Sequence, residues 1–215
     1  MSTAALPIRL IDVGNIDPEI LRLYHCKRKE TLKYAALSHC WGKLAVEHKR
    51  QFCTTDDNFE ARLNRFNFSD LPKTFRDAVQ VTRELGIQYL WIDSVCIIQE
   101  NKKDWEHEAK RMEGIFAMAY CTIAATSASN SNAGFLERND RREFVHAQDA
   151  LGRQFYLCTN IDDFDNDVGE AALNKRAWVM QERVLSRRTI HFSANQVYFE
   201  CGKGVYCESF TTLKR

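Results

Sequence analysis

Three apolar runs, each turning polar at its carboxyl end, constrain this chain more than any other feature of its sequence. Tyr34-Ala-Ala-Leu-Ser-His-Cys-Trp-Gly42 begins as a buried strand and stops at the glycine. Ile87 to Ile98 is a second run, polar at Asp93-Ser94, and Cys121 to Ala128 is a third, ending among Thr126, Ser127 and Ser129. Amphipathic segments separate them. Asp70 lies in an N-cap region, Pro72 suits a first helical turn and Gly86 a C-terminal stop. Between them Phe75, Ala78, Val79, Thr82 and Leu85 recur at helical spacing. A helix of about sixteen residues is expected from Lys103, with Trp105, Ala109, Met112, Phe116 and Ala119 on one face. Strand, helix, strand, helix, strand, in that order, predicts an α/β fold: a mostly parallel sheet flanked by helices.

The polar residues that end these runs are candidate site residues. Ser38, His39, Trp41 and Gly42 close the first run, and Asp93 the second. In open α/β sheets, ligands gather at the carboxyl ends of the strands. The same residues also suit a local task, since Ser and His side chains can satisfy nearby backbone groups and Asp93 can cap the following turn. Both readings stand at this level.

A further segment, Arg176-Ala-Trp-Val-Met-Gln-Glu182-Arg-Val-Leu-Ser-Arg-Arg188, reads as an amphipathic helix running into a strand. Trp178, Glu182 and Leu185 stand at i, i+4 and i+7 and share one face. A carboxylate on a stripe with a tryptophan and a leucine is either an edge residue reaching solvent or a partly buried acid with a task. Arg176, Arg183, Arg187 and Arg188 crowd the same segment. They can anchor the acid as a plain ion pair or hold an anionic ligand.

The rest of the chain is read more coarsely. Pro7 to Val13 is a short strand candidate, and Asp17 to Tyr24 a helical turn or irregular. Lys43 to Phe68 is polar, with a helix expected around Asp56–Arg65. Phe144–Gln148 and Gln154–Thr159 suit a hairpin around Leu151-Gly152, and Asn160 to Gly169 suits a solvated acidic loop. Thr189–Phe192, Gln196–Cys201 and Val205–Phe210 are late strands.

Composition removes several function classes. The net charge is +1 over 215 residues, so no electrostatic signature of nucleic-acid binding is present. No apolar run approaches the roughly 20 residues that span a bilayer. The opening residues Met1 to Pro7 lack a basic region followed by an apolar core, so no signal peptide is expected. The eight cysteines include no Cys-x-x-Cys and no His pair at finger spacing, which argues against a metal site. Cys96, Cys121 and Cys158 lie in apolar runs and suit small buried hydrophobes. A reducing, cytoplasmic compartment with free thiols is the expectation. No Gly-x-Gly-x-x-Gly and no phosphate-binding glycine-rich loop occurs, which excludes a Rossmann dehydrogenase or a P-loop enzyme.

Taken together, these stretches resemble the fungal heterokaryon-incompatibility (HET) domain. The resemblance rests on Tyr34 to Gly42, Leu71-Pro-Lys-Thr-Phe-Arg-Asp-Ala78, Tyr89-Leu-Trp-Ile-Asp-Ser-Val-Cys-Ile-Ile-Gln99, Trp105 through Ala128 and Gly134-Phe-Leu136. It continues through Arg176 to Arg188, His191-Phe192 and Cys201. It divides the chain into an N-terminal extension over 1–33, a HET domain over 34–201 and a tail or last strand over 202–215. It implies a cytosolic fungal protein that triggers cell death when incompatible individuals fuse. In that family the domain usually precedes a long, variable region.

A second resemblance is to TIR domains. Leu37-Ser38-His39 sits where a TIR domain opens its flavodoxin-like sheet, and Trp178-Val-Met-Gln-Glu182 keeps the spacing of the Trp-Cys-x-x-Glu helix, with Val179 in place of Cys. Phe144 to Gly169 is then an insertion. This implies a TIR/flavodoxin-like core with an inserted hairpin and extra C-terminal strands. It also implies cleavage of NAD, a substrate here and not a bound cofactor, at the nicotinamide–ribose bond. In that reading Glu182 is the catalytic acid. Trp178 or Trp41 stacks on a ring, and Arg176, Arg187 and Arg188 hold the diphosphate. Ser38, His39 and Asp93 line the crevice. The alternative is a non-enzymatic death-signalling module that self-associates or recruits a regulatory partner. There Arg176, Glu182 and Arg188 are structural ion pairs and His191 a satisfied strand histidine. A Cys–His hydrolase using Cys40 or Cys96 has less behind it, because nothing sets a thiol, a base and an orienting group together.

Overall fold

The structure, a computed structural model, describes residues 6–14, 16–27, 30–43, 46–137, 144–158, 163–208 and 212–213. Of residues 46, 144–145, 155–158, 177–178, 181 and 212–213 it describes the backbone alone. The chain begins with an antiparallel pair, β1 (Arg9–Asp12) and β2 (Ile20–His25). It then enters the buried strand β3 (Tyr34–Ser38). Helices α1 (Val46–Phe52) and α2 (Phe59–Asn64) and the two-residue β4 (Phe66–Asn67) lead to α3 (Lys73–Glu84) and β5 (Tyr89–Trp91). Next come α4 (Asp93–Cys96), α5 (Lys102–Ala109), α6 (Met112–Met118) and β6 (Cys121–Ala124). A separate hairpin of β7 (Phe144–Gln148) and β8 (Gln154–Cys158) follows, at the expected place. The chain closes with α7 (Ala177–Leu185), β9 (Arg188–Phe192), β10 (Val197–Cys201), β11 (Gly204–Cys207) and β12 (Thr212–Leu213).

Ten of the described strands form one sheet in the order β12-β11-β10-β9-β6-β3-β5-β1-β2-β4. Its centre is parallel: β3 pairs with β5 on one side and β6 on the other, and β6 pairs with β9. Counted by their own chain order these four strands stand 2-1-3-4, the flavodoxin-like doubly wound order. Right-handed crossovers send α3 to one face of such a sheet and α6 and α7 to the other, and α6 packs against α7. The connections leaving β3 and β6 diverge to opposite faces, so a crevice opens between their carboxyl ends.

The sheet as a whole is mixed, which corrects the expectation of a mostly parallel one. Only the three central pairings are parallel, and the flanking ones are antiparallel. The reason is connection length. A short turn can only reverse the chain, whereas a parallel return needs a crossover of about a dozen residues or more. The helices occupy the crossovers among β3, β5, β6 and β9, and short connections join β1 to β2 and β9 through β12 in succession, while the antiparallel pairs β1–β5 and β2–β4 join strands far apart in the chain. β1 and β2 extend the same sheet beyond β5, so residues before Tyr34 build its edge.

Three local expectations change. Asp17–Tyr24 yields a strand, with Leu21 and Leu23 buried and Arg22 exposed between them, the period of two of a half-buried strand. The run from Ile87 stops pairing at Trp91, and Asp93 opens the helical turn α4, where its Oδ1 accepts from the Ser94 amide at 2.7 Å. The helix expected from Lys103 breaks into α5 and α6, and Trp105 is 57% exposed while Glu108 is sealed. A buried ion pair sets that rotation. The Arg9 guanidinium, itself in the core, donates to Asp104 Oδ2 at 2.5 Å, and the Ile98 amide donates to the same oxygen at 2.8 Å. Drawing Asp104 inward brings Glu108, one turn on, with it and turns Trp105 out. The large apolar side chains of the core, Phe75, Phe116 and Leu90 among them, are closed to water, each worth about 1.5–3 kcal/mol of burial.

Candidate active site at the carboxyl ends of the central strands

The central strands deliver their last residues to the crevice. Ser38 ends β3 opposite Ala124 of β6, and the chain then turns through His39, Cys40 and Trp41. Gly42 has φ +76, and a Cβ there would stand 2.3 Å from the Asn130 Cβ, so only glycine lets this turn cross the loop after β6. The Ser131 hydroxyl donates to the Trp41 carbonyl at 3.3 Å and ties the two loops.

Helix α7 is pinned over the sheet at both ends. At its start, Arg176 Nη1 donates to the His39 carbonyl oxygen at 2.7 Å. At its finish, the Ser186 and Thr122 hydroxyls meet at 2.6 Å. Between them Val179 packs with Cys40, Ala124 and Leu173. Glu182 is thereby placed on Ser38, whose hydroxyl donates to Glu182 Oε2 at 2.5 Å. Burial pushes the Glu182 carboxyl up to about 7, with nearby Asp93 adding to the rise, against the opposing effects of the Ser38 bond and the Arg176 charge. A carboxylic acid poised near neutrality at the switch point of a doubly wound sheet has the environment of an acid–base or charge-stabilising group.

Around Glu182 stand the other residues predicted from strand ends. Asp93 Oδ2 accepts from Trp41 Nε1 at 2.8 Å, linking the ends of β3 and β5. His39 is 5% exposed, edge-on to Phe75 at 4.9 Å and stacked with Trp41 at 6.3 Å. Its Nε2 has no hydrogen-bond partner among the described residues, and burial holds the ring below its ordinary pKa, so it is neutral at pH 7. The Cys40 thiol is raised by burial, which keeps it protonated and unsuited to nucleophilic attack. Cys96 is fully buried and raised for the same reason.

The arginines separate. Arg176 reaches the crevice. Arg187 and Arg188 stand at the opposite ends of the strands, where Arg188 Nη1 donates to the Tyr120 carbonyl at 2.8 Å. Sequence proximity groups them with Glu182, but Glu182 reaches Ser38 at the carboxyl end of β3, while the chain past Ser186 runs on to Lys33 and Tyr120 at the amino ends, so the structure does not bring them to one ligand. Trp178 belongs to α7, and its side chain lies outside the described residues. Two residues escaped the sequence reading. Lys49 of α1 places its Nζ 5.8 Å from the Trp41 ring, from a stretch with no signal beyond polarity. Glu200 of β10 accepts from Arg183 at 2.7 and 3.0 Å and lies 3.0 Å from His191 Nε2, on the other side of α7. Its partner His191 was expected to be a satisfied strand histidine.

Comparison with curated proteins and with solved structures gave no match. A model of the family described as heterokaryon incompatibility protein (HET) matches residues 34–182. That span opens on the first residue of β3 and closes on Glu182, so it contains the carboxyl ends of β3, β5 and β6 and α7 as far as its glutamate. Since it covers well over half of the chain, the protein belongs to the heterokaryon incompatibility (HET) family.

Proposed function

We propose that the crevice is a nucleotide-cleaving active site in which Glu182 supports rupture of the nicotinamide–ribose bond of NAD, and that the resulting NAD loss is how this protein acts in heterokaryon incompatibility and cell death in the cytoplasm. The observation that carries the reading is the Ser38–Glu182 hydrogen bond, a desolvated carboxyl fixed at the topological switch point. The resemblance of Ser38-His39 and of Trp178 to Glu182 to the TIR pattern supports it. Bond rupture develops positive charge on the ribose, a fixed carboxylate lowers that barrier electrostatically, and water then bonds to the ribose carbon and gives up a proton to solvent. Nicotinamide leaves from NAD as a neutral base, so no proton need be supplied to it. The working form of Glu182 is therefore the carboxylate, with Ser38 holding its orientation. Trp41, fixed by Asp93, offers a ring face, and Arg176 the nearest guanidinium. Purified protein mixed with NAD should release nicotinamide, and a folded Glu182→Gln variant should not. Release by both, or by neither, overturns the reading.

A second reading is favoured by one feature. Met180 and Val184, one turn apart on α7, are 66% and 76% exposed. An apolar pair on the outer face of the helix that carries Glu182 suits a module that acts by self-association. A Met180→Asp/Val184→Asp change that abolishes cell killing while nicotinamide release persists would favour this reading.

A further inference from the structure

Arg187 and Arg188, displaced from Glu182, line a pocket of their own. β3, β6 and β9 are parallel neighbours, so the residues at their amino ends converge: Lys33 before β3, Tyr120 before β6, and Arg187 and Arg188 at β9. Lys33 Nζ lies 3.9 Å from the Tyr120 ring centroid and the Arg188 guanidinium carbon 4.9 Å from it. One phenol ring therefore gathers two cations, and Arg187 stands beside them. Leu32 and Met118 contribute apolar walls, and the cavity holds about 240 Å³.

The charge is unbalanced. Arg9, Arg22, Arg50 and Arg183 each pair with a carboxylate. Among the described residues, Lys33, Arg187 and Arg188 pair with none. Each of the three is exposed. Like charges held together repel, and a compact anion with two or more charges relieves that repulsion while accepting the directed N–H groups of the guanidinium forks. The cavity is smaller than the roughly 300–1,000 Å³ of sites that enclose drug-sized ligands. It suits a phosphate-sized group, with any larger attachment projecting into solvent. β3 separates it from Ser38 by its whole length, about 13 Å at the rise of a strand.

We propose that the pocket of Lys33, Tyr120, Arg187 and Arg188 binds a small, multiply charged phosphate group at a site independent of Glu182. The test is calorimetric titration of the whole chain with pyrophosphate at physiological ionic strength, beside binding to vesicles carrying a bisphosphorylated inositol lipid, which tells a soluble phosphate from a headgroup. The expected result is saturable one-to-one binding of at least one probe. It should weaken roughly tenfold in Lys33→Ala and in Arg187→Ala, the loss of one charge-assisted contact, and stay unchanged in Glu182→Gln. Both pocket substitutions are at exposed positions, and circular dichroism checks that they fold. Saturable binding of neither probe, binding indifferent to the Lys33→Ala/Arg187→Ala double change, or binding lost with Glu182→Gln overturns the proposal.

Discussion

Helix α7 carries one glutamate and meets another, Glu182 over the end of β3 and Glu200 of β10 against its Arg183, and their surroundings drive the two in opposite directions. Both are partly buried, and burial alone raises a carboxyl pKa. Glu182 receives one neutral hydroxyl and lies near Asp93, so it rises to about 7. At Glu200 burial is outweighed by the His191 and Arg183 hydrogen bonds and the Arg183 charge, which bring it down to about 2. Glu182 and Arg183 are adjacent in sequence, yet one faces the crevice and the other the ion pair. Burial without a full counter-charge prepares a carboxyl for chemistry, and burial with one makes it a structural anchor.

Substitutions can break this contrast. The largest effect is expected from Glu182→Gln: nicotinamide release falls by about 10²–10³-fold, the scale of losing one preorganised electrostatic group, while the fold persists because the amide oxygen still accepts from Ser38. Glu200→Ala should do the reverse. It removes the carboxylate that accepts twice from the Arg183 guanidinium and lowers stability by about 2–3 kcal/mol, read by denaturant titration.

The pH dependence of stability sharpens the comparison without a substitution. Glu182 binds its proton more tightly folded than unfolded, so its contribution is complete below about 4.5 and is lost as pH rises through about 7. Glu200 is the converse: its contribution is present above about 4.5 and is lost as pH falls toward about 2. Thermal melts should show stability rising from pH 8 to about 5 and falling below about 4.5. Glu182→Gln flattens the upper limb alone, and Glu200→Gln the lower.

Ser38→Ala removes the bond that favours the ionised form of Glu182. The rise of nicotinamide release with pH should then move to higher pH, with about 1 kcal/mol lost in stability. The smallest effect is expected from Trp41→Phe, which frees Asp93 from its indole donor while keeping a ring. Stability should change by about 1 kcal/mol or less, and the shift should appear mainly as a raised KM for NAD.

The expectations that failed share a cause. Trp105 was placed on a buried face by helical spacing, yet Asp104 one residue earlier is drawn inward by Arg9, 95 positions away. Arg187 and Arg188 were joined to Glu182 by nearness in the chain, although a helix end and the following strand point to opposite ends of a sheet. The mixed sheet was missed because β1, β2 and the late strands carry their own alternation but no mark of which neighbour they join. The strand ends fared differently. Ser38, His39, Trp41 and Asp93 were marked by a sharp change from apolar to polar, and the structure brings them to one crevice with Glu182.

The sequence by itself determined the α/β class, the buried strands opening at Tyr34 and Cys121 with the helix at Lys73–Glu84, the hairpin at Leu151-Gly152 and the family, because hydrophobic period, turn residues and motif order are local properties of a chain. Tertiary structure alone decided that Glu182 reaches Ser38 across 144 positions, that Glu200 becomes an anchor, and that the arginines part into two sites. Those outcomes depend on which residues burial and parallel pairing bring together, and on how each charge is desolvated once there.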